Sequence, residues 1–195
     1  LINFLIENEL HYYGLSQTSS QEKDAAMTPT QQKTRVAVLL GGDSNEREIS
    51  LESGRNVCYK LSPHKYDVIP VFVNSRMELF KLSQKLLIKN TTRAIDSLVT
   101  PEMQLEWSDL PTLCDFVFIG LHGGKGEGGA VQGALEMLDL PYNGSGVLAS
   151  SLCMDKFKTN NFLRSKGFAV PTSMLIDQAT WQTLANDAKE AFIQS

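Results

Sequence analysis

Three short stretches carry residues able to do chemistry. GGDSNERE puts Glu46 beside paired glycines and just before a helical pattern. A carboxylate there can hold a cationic group of a ligand brought close by the open backbone. The same residues also read as a cap, with Asp43, Ser44 and Glu46 favouring the positive end of a helix. FVFIGLHGGKGEGGAVQG puts His122 at the end of an apolar run, where an imidazole exchanges protons or hydrogen bonds with a carboxylate near neutral pH. Its plainer reading is a histidine satisfied by a nearby carbonyl. NGSGVLASSLCMDK ends on Lys156, a phosphate contact or a solvated charge beside Asp155, and carries Ser145 where it either meets a ligand or caps a helix.

The glycines of the second stretch are less informative. Gly124, Gly126 and Gly129 stand at G-x-G-x-x-G spacing, but a dinucleotide site also wants an acidic residue about 20 positions on. Glu136 and Asp139 come too early and Asp155 too late, while Lys125 followed by Gly126 excludes the usual P-loop. A second match at Gly144, Gly146 and Ala149 weakens both.

The elements that must position these residues follow from hydrophobic patterning. RVAVLL, YDVIPVFVN and DFVFIGL are apolar runs of strand length, and the helical pattern of DSNEREISLESGRNVCYKLS places Ile49, Ser53, Val57 and Leu61 on one face. Residues 76–90 carry a short helical pattern, 91–111 read as loop, AVQGALEMLDL and KFKTNNFLRSKG read as helices, and FAVPTSMLI as a further strand. Strands alternating with helices predict an α/β fold, a parallel sheet flanked by helices, with ligands gathering at the carboxyl ends of the strands. Residues 16–35 have the polar composition of a linker. The expected division is an upstream tail and linker over 1–34, an α/β domain over 35–150, and the start of a further domain over 151–195. A first residue other than Met and a last residue inside a helical pattern lead us to expect a piece of a longer protein.

Composition narrows the function classes. With 42% apolar and 21% charged residues and a net charge of −4, the chain has no basic excess for nucleic acid. Three separated cysteines, Cys58, Cys114 and Cys153, suggest neither a disulfide framework nor a zinc site. No basic leader or apolar run of about 18 residues points to export or a membrane. A cytoplasmic setting is expected.

Taken together and in order, VAVLLGGDSNEREISLESG, LHGGKGEGGAVQGALEMLDLPYNGSGVLASSLCMDK and FAVPTSMLI resemble the amino-terminal part of bacterial D-alanine:D-alanine ligases, of the ATP-grasp superfamily, over about residues 35–176. The resemblance implies a Rossmann-like pre-ATP-grasp domain followed by the start of a truncated ATP-grasp domain. It implies ATP-dependent joining of two D-alanines through an acyl phosphate, for peptidoglycan precursors. Glu46 would hold the ammonium of the first D-alanine, His122 would lie in the same amino-acid site, and Lys156 would contact ATP phosphates. ATP and Mg2+ (or Mn2+) would be bound mainly by a carboxyl-terminal part outside the chain, leaving this piece inactive alone and setting the second substrate, D-alanine, D-lactate or D-serine, elsewhere. A homodimer is implied for the full-length protein. One departure is Gly128, where the family commonly has an acid in G-E-D-G, so a looser loop is expected. The alternatives are a non-catalytic small-molecule binding module and a dinucleotide-binding oxidoreductase domain.

Overall fold

The computed structural model describes residues 7–8 and 33–194. The linker expected over 16–35 therefore lies almost wholly outside the described residues. The chain divides into two compact units, Leu1–Ser151 and Leu152–Ser195.

The first unit is built on β1 (Thr34–Gly41), whose last six residues are all buried. β1 is flanked in parallel by β2 (Tyr66–Val73) and β5 (Phe116–Ile119). Register runs from Thr34 opposite Tyr66 to Gly41 opposite Val73, and from Val36 opposite Phe116 to Leu39 opposite Ile119. The continuous apolar runs are explained by this placement, since a central parallel strand is covered on both faces. Alternate residues of β1 feed two cores. Val36, Val38 and Leu40 join Leu51, Val57, Phe72 and Phe116, while Ala37 and Leu39 join Val71, Leu110, Val117, Val131 and Leu135.

The sheet is not parallel throughout. β3 (Leu79–Lys81) and β4 (Gln104–Leu105) add antiparallel on the β2 side, giving the order β4-β3-β2-β1-β5. They fall where a short helix and a loop were expected. Strands of three and two residues carry too little alternation to be read from sequence, and they form because the edge of β2 offers unpaired backbone groups. Beyond β5, Pro141 and Asn143 extend the sheet informally. The Val117 amide donates to the Pro141 carbonyl (2.9 Å), and the Asn143 side-chain carbonyl accepts from the Ile119 amide (2.6 Å).

Helix α1 (Arg47–Lys60) packs against β1 through a face that includes Val57 of the expected set, with Leu61 buried just beyond the helix end, but not Ile49. Ser50, Leu51, Gly54, Val57 and Cys58 are buried, whereas Ile49 is 61% exposed. Gly54 decides this. A Cβ there would lie 2.5 Å from the Leu40 Cβ, and one on Gly120 would lie 2.7 Å from the Leu39 carbonyl oxygen and 3.2 Å from the Gly54 Cα. Helix backbone thus sits directly on strand backbone, which rotates the helix so that its smallest residues face the sheet. Helices α2 (Ala130–Met137) and α3 (Val147–Met154) follow β5, and α2 buries Val131, Gln132 and Leu135.

At the start of β1, Arg35 and Asp115 form a partly exposed ion pair, Nη2 to Oδ1 2.6 Å, reinforced by the Arg35 amide donating to Oδ2 (2.8 Å). Hydrogen bonding to Arg35 holds the Asp115 carboxyl below its ordinary value, against some desolvation.

The second unit contains helix α4 (Lys156–Ser165), capped by Asp155 accepting from the Lys158 amide (3.0 Å) and ended at Gly167 with φ +84°. Residues 168–176 form no strand, contrary to expectation, because no other strand lies among the described residues of this unit for their backbone to pair with. The terminal helical pattern is split into Gln178–Thr183 and Asn186–Gln194, with Leu184 extended (ψ 139°) between them. None of the described residues of this unit is buried. No helix among the described residues is long and apolar enough to cross a membrane.

Three outcomes follow for folding. Gly54→Ala destabilises by about 1–3 kcal/mol in denaturant titration, because overpacking against β1 outweighs the gain of about 1 kcal/mol in helix propensity. Asp115→Asn costs roughly 0.5–1 kcal/mol at neutral pH. Because the folded carboxyl is depressed, that difference is present above about pH 4 and closes as pH falls through the folded value, which acid titration of both proteins measures. Burial raises the Cys58 thiol to about 12 and the Cys114 thiol to about 11, while Cys153 is exposed. A maleimide therefore labels Cys153 in the native chain and the other two only on unfolding, as mass spectrometry counts.

Candidate functional site

The carboxyl ends of β1 and β5 lie side by side, and the loops leaving them meet. The β1 loop carries Asp43, Ser44 and Glu46 into α1, and the β5 loop carries His122 into Gly123 and Gly124. Two serine hydroxyls weld them. Ser44 donates its Oγ–H to the His122 carbonyl (2.6 Å) and accepts from the Glu46 amide (3.0 Å). Ser50, fully buried, donates to the Glu46 carbonyl (3.1 Å) and accepts from the His122 amide (2.8 Å). The backbone on both sides of His122 is thereby fixed to the turn that bears Glu46.

Glu46 occupies the cap position of α1, yet its side chain makes no capping bond. Of the capping candidates Asp43, Ser44 and Glu46, it is Ser44 that accepts from a backbone amide at the helix start, that of Glu46. Among the described residues the Glu46 carboxylate has no hydrogen bond or ion pair, and it stands exposed at the helix's positive end. Its Oε2 lies 3.6 Å from where a Cβ on Gly123 would be. An unpaired carboxylate over open glycine backbone can hold an ammonium group.

His122 is half-buried and contacted at both ring nitrogens. Nε2 is 2.9 Å from the Ser53 hydroxyl on α1, and Nδ1 is 3.5 Å from Oε1 of Glu127, whose other oxygen accepts from the Gly123 amide (2.9 Å). Sequence reasoning did not single out Ser53 or Glu127 as members of the site. Glu127 carried a signal, being an acid five residues beyond His122 in a helical turn; Ser53, 69 residues away, carried none that chain position could reveal. A second strap crosses the loops, with the Lys125 ammonium 3.2 Å from Oδ2 of Asp43.

The glycines serve this geometry and not a dinucleotide fingerprint. Gly123 has φ +67° and Gly124 φ +52°, letting the chain turn tightly over Ser44 and Asp43. Gly126 begins no nucleotide loop; it is buried within the single turn Gly124–Glu127, and its carbonyl accepts from the Gln132 side chain (2.9 Å). Gln132 also accepts from the Gly129 amide (3.1 Å). Gly128 adopts an ordinary right-handed conformation (φ −84°); its amide donates to the Gly124 carbonyl (3.0 Å) and its carbonyl accepts from Ser151 (2.9 Å). The extra freedom expected of Gly128 is thus not used in its backbone conformation.

Ser145 is exposed, and its carbonyl accepts from Ser150 (3.0 Å). Lys156 opens α4 in the second unit, exposed, with no ion pair among the described residues; the neighbouring Lys158 instead pairs with Asp155 (2.9 Å). The structure therefore brings Glu46 and His122 to one edge of the sheet, and Lys156 stands in the other unit. Among the described residues no group of three or more His, Cys, Asp or Glu stands together as a metal site.

Comparisons with known proteins show the family. Residues 35–145 match the family model described as "D-ala D-ala ligase N-terminus". A D-alanine–D-alanine ligase of Desulforudis audaxviator is 42% identical over 137 residues, which is 70% of this chain and 36% of that protein. Among solved structures, the D-alanine-D-alanine ligase of Coxiella burnetii superposes with a TM-score of 0.66 at 25% identity, covering 83% of this chain and 49% of that one. The Bacillus anthracis enzyme, solved in complex with ATP, gives 0.55 at 28% identity over 83% and 43%. The chain spans less than half the length of each of these relatives. With the matched region covering all but the first residue of the sheet and both loops that carry Glu46 and His122, the chain belongs to the D-alanine–D-alanine ligase family.

Proposed function

We propose that this chain is the amino-acid-binding part of an ATP-dependent ligase that joins two D-alanines for peptidoglycan precursor synthesis in the cytoplasm. The observation that carries the reading is the pairing of an unpartnered carboxylate, Glu46, with His122 at one sheet edge, locked there by Ser44 and Ser50. In this reading Glu46 holds the ammonium of the first D-alanine by charge, and His122 lies in the same site.

The chemistry requires activation, because a free carboxylate is a poor electrophile. A carboxylate oxygen of the first D-alanine attacks the γ-phosphorus of ATP, forming an acyl phosphate and releasing ADP. The amine of the second D-alanine then attacks the acyl carbon, the C–O bond to phosphate breaks, a proton leaves the nitrogen, and D-alanyl-D-alanine and inorganic phosphate result. What this chain contributes is position: an ammonium fixed by Glu46 orients the first carboxylate for the transfer. Lys156 is proposed to contact ATP phosphates as a point charge.

Because the described donors do not fit a metal ion, no step is assigned to one held by this chain. Mg2+ (or Mn2+) and most of the ATP contacts are proposed to belong to the ligase length that the relatives have beyond the matched part, where the ion would neutralise phosphate charge. This chain by itself is accordingly proposed to be inactive, and the full-length protein to be a homodimer.

The test is phosphate release from ATP by the full-length protein. We expect release that depends on D-alanine and a kcat/KM for the amino acid reduced at least about tenfold in Glu46→Ala, the loss of one charge-assisted contact. Release that ignores D-alanine, or that is unchanged in Glu46→Ala, refutes the reading.

A further inference from the structure

The contact between Ser53 and His122 has no structural necessity. Ser53 lies on α1 one turn beyond Ser50 and is only half-buried, so its hydroxyl could be satisfied by solvent. It is directed instead at Nε2 of His122, at 2.9 Å. On the other side of the ring the nearest acid is Glu127, with Oε1 3.5 Å from Nδ1. A carboxylate accepts and does not donate, whereas a serine hydroxyl does both. The neutral imidazole suits both neighbours in one tautomer only: a lone pair on Nδ1 would face the Glu127 carboxylate, so the proton lies on Nδ1 and the lone pair on Nε2 accepts the serine proton.

We propose that Ser53 is the positioning residue of His122: it fixes the ring's orientation and so holds Nδ1 beside Glu127, whose carboxylate favours the proton there, whereas a ring released from Ser53 turns away and loses that bias. The position of α1 makes this possible. Gly54, the next residue, sits against Leu40 and Gly120, which brings the Ser53 hydroxyl within reach of a histidine two residues beyond Gly120. The consequence is that His122 offers a donor, and not an acceptor, on the side of Glu127 and the Gly123 amide. A carboxylate arriving beside Gly123 would meet that N–H, and at 3.5 Å Glu127 is too far to hold it in a full hydrogen bond. This function for the proton rests on the amino-acid-site reading above; the assignment of Ser53 does not.

Nitrogen-15 spectra of the imidazoles in this chain test it without substrate or ATP. Spectra are taken at about pH 8, above the ordinary histidine range near 6.5. The three histidines are His11, His64 and His122, and His122→Gln identifies the signal of interest. We expect wild-type His122 in the Nδ1–H form, Ser53→Ala in a mixture with substantial Nε2–H, and Ser53→Thr restoring the single form. An Nε2–H form in the wild type overturns the proposal, as does an unchanged tautomer in a folded Ser53→Ala. Should Ser53→Ala not fold, Ser53→Thr is read against its isostere Ser53→Val, which lacks the hydroxyl: a single Nδ1–H form in both overturns the proposal. A failed ligase assay would leave the tautomer result standing, so the two readings fail separately.

Discussion

The approach of α1 to the sheet at Gly54 is the constraint on which the site depends. No side chain separates helix from strand there; a Cβ on Gly54 would strike Leu40, and one on Gly120 would come within 3.2 Å of the Gly54 Cα. Glycine gives up helix propensity of about 1 kcal/mol for this contact. In return the helix lies deep enough that Ser50 and Ser53, one turn apart, reach the backbone and ring of His122. A helix held off by even one methyl would move both hydroxyls away from the histidine.

That depth also explains why the site is polar yet ordered. Ser50 is fully buried, a position that costs free energy unless both its donor and acceptor are used. It uses both, toward Glu46 and His122. Gln132, also buried, spends its amide on Gly126 and Gly129 in the same way. Each bond is worth only about 1 kcal/mol net, but breaking one leaves its partner unsatisfied in the interior. The loops are therefore held by mutual satisfaction, and within them the Glu46 carboxylate is left with no partner among the described residues. In Glu-Arg-Glu the neighbours do other work. Arg47 pairs with Asp96 (3.0 Å), and Glu48 accepts from the amide and hydroxyl of Thr92, fastening the segment 91–96 to α1.

Much of this was legible before any coordinates. β1, β2 and β5 announce themselves because a strand covered on both faces must be apolar at every position. α2 and α4 show their periodicity, and Gly167 marks the end of α4. What was misread was misread for physical reasons. Ile49 looked like core because it is apolar at helical spacing, but the close contact at Gly54 turns the buried face toward smaller residues. β3 and β4 are made by pairing rather than by composition. FAVPTSMLI has the composition of a strand without a described neighbour to pair with.

The sequence by itself determined the three parallel strands, the two loops at their carboxyl ends, and the presence in them of Glu46 and His122, because hydrophobic runs and glycine-rich turns are local properties. Only the tertiary structure decided which atoms those residues meet. Ser53 and His122 stand 69 positions apart, Ser44 and His122 78, and no local pattern links them. They are joined because β1 and β5 pair in parallel and α1 rests on β1, and it is this packing that leaves one carboxylate free and fixes one imidazole.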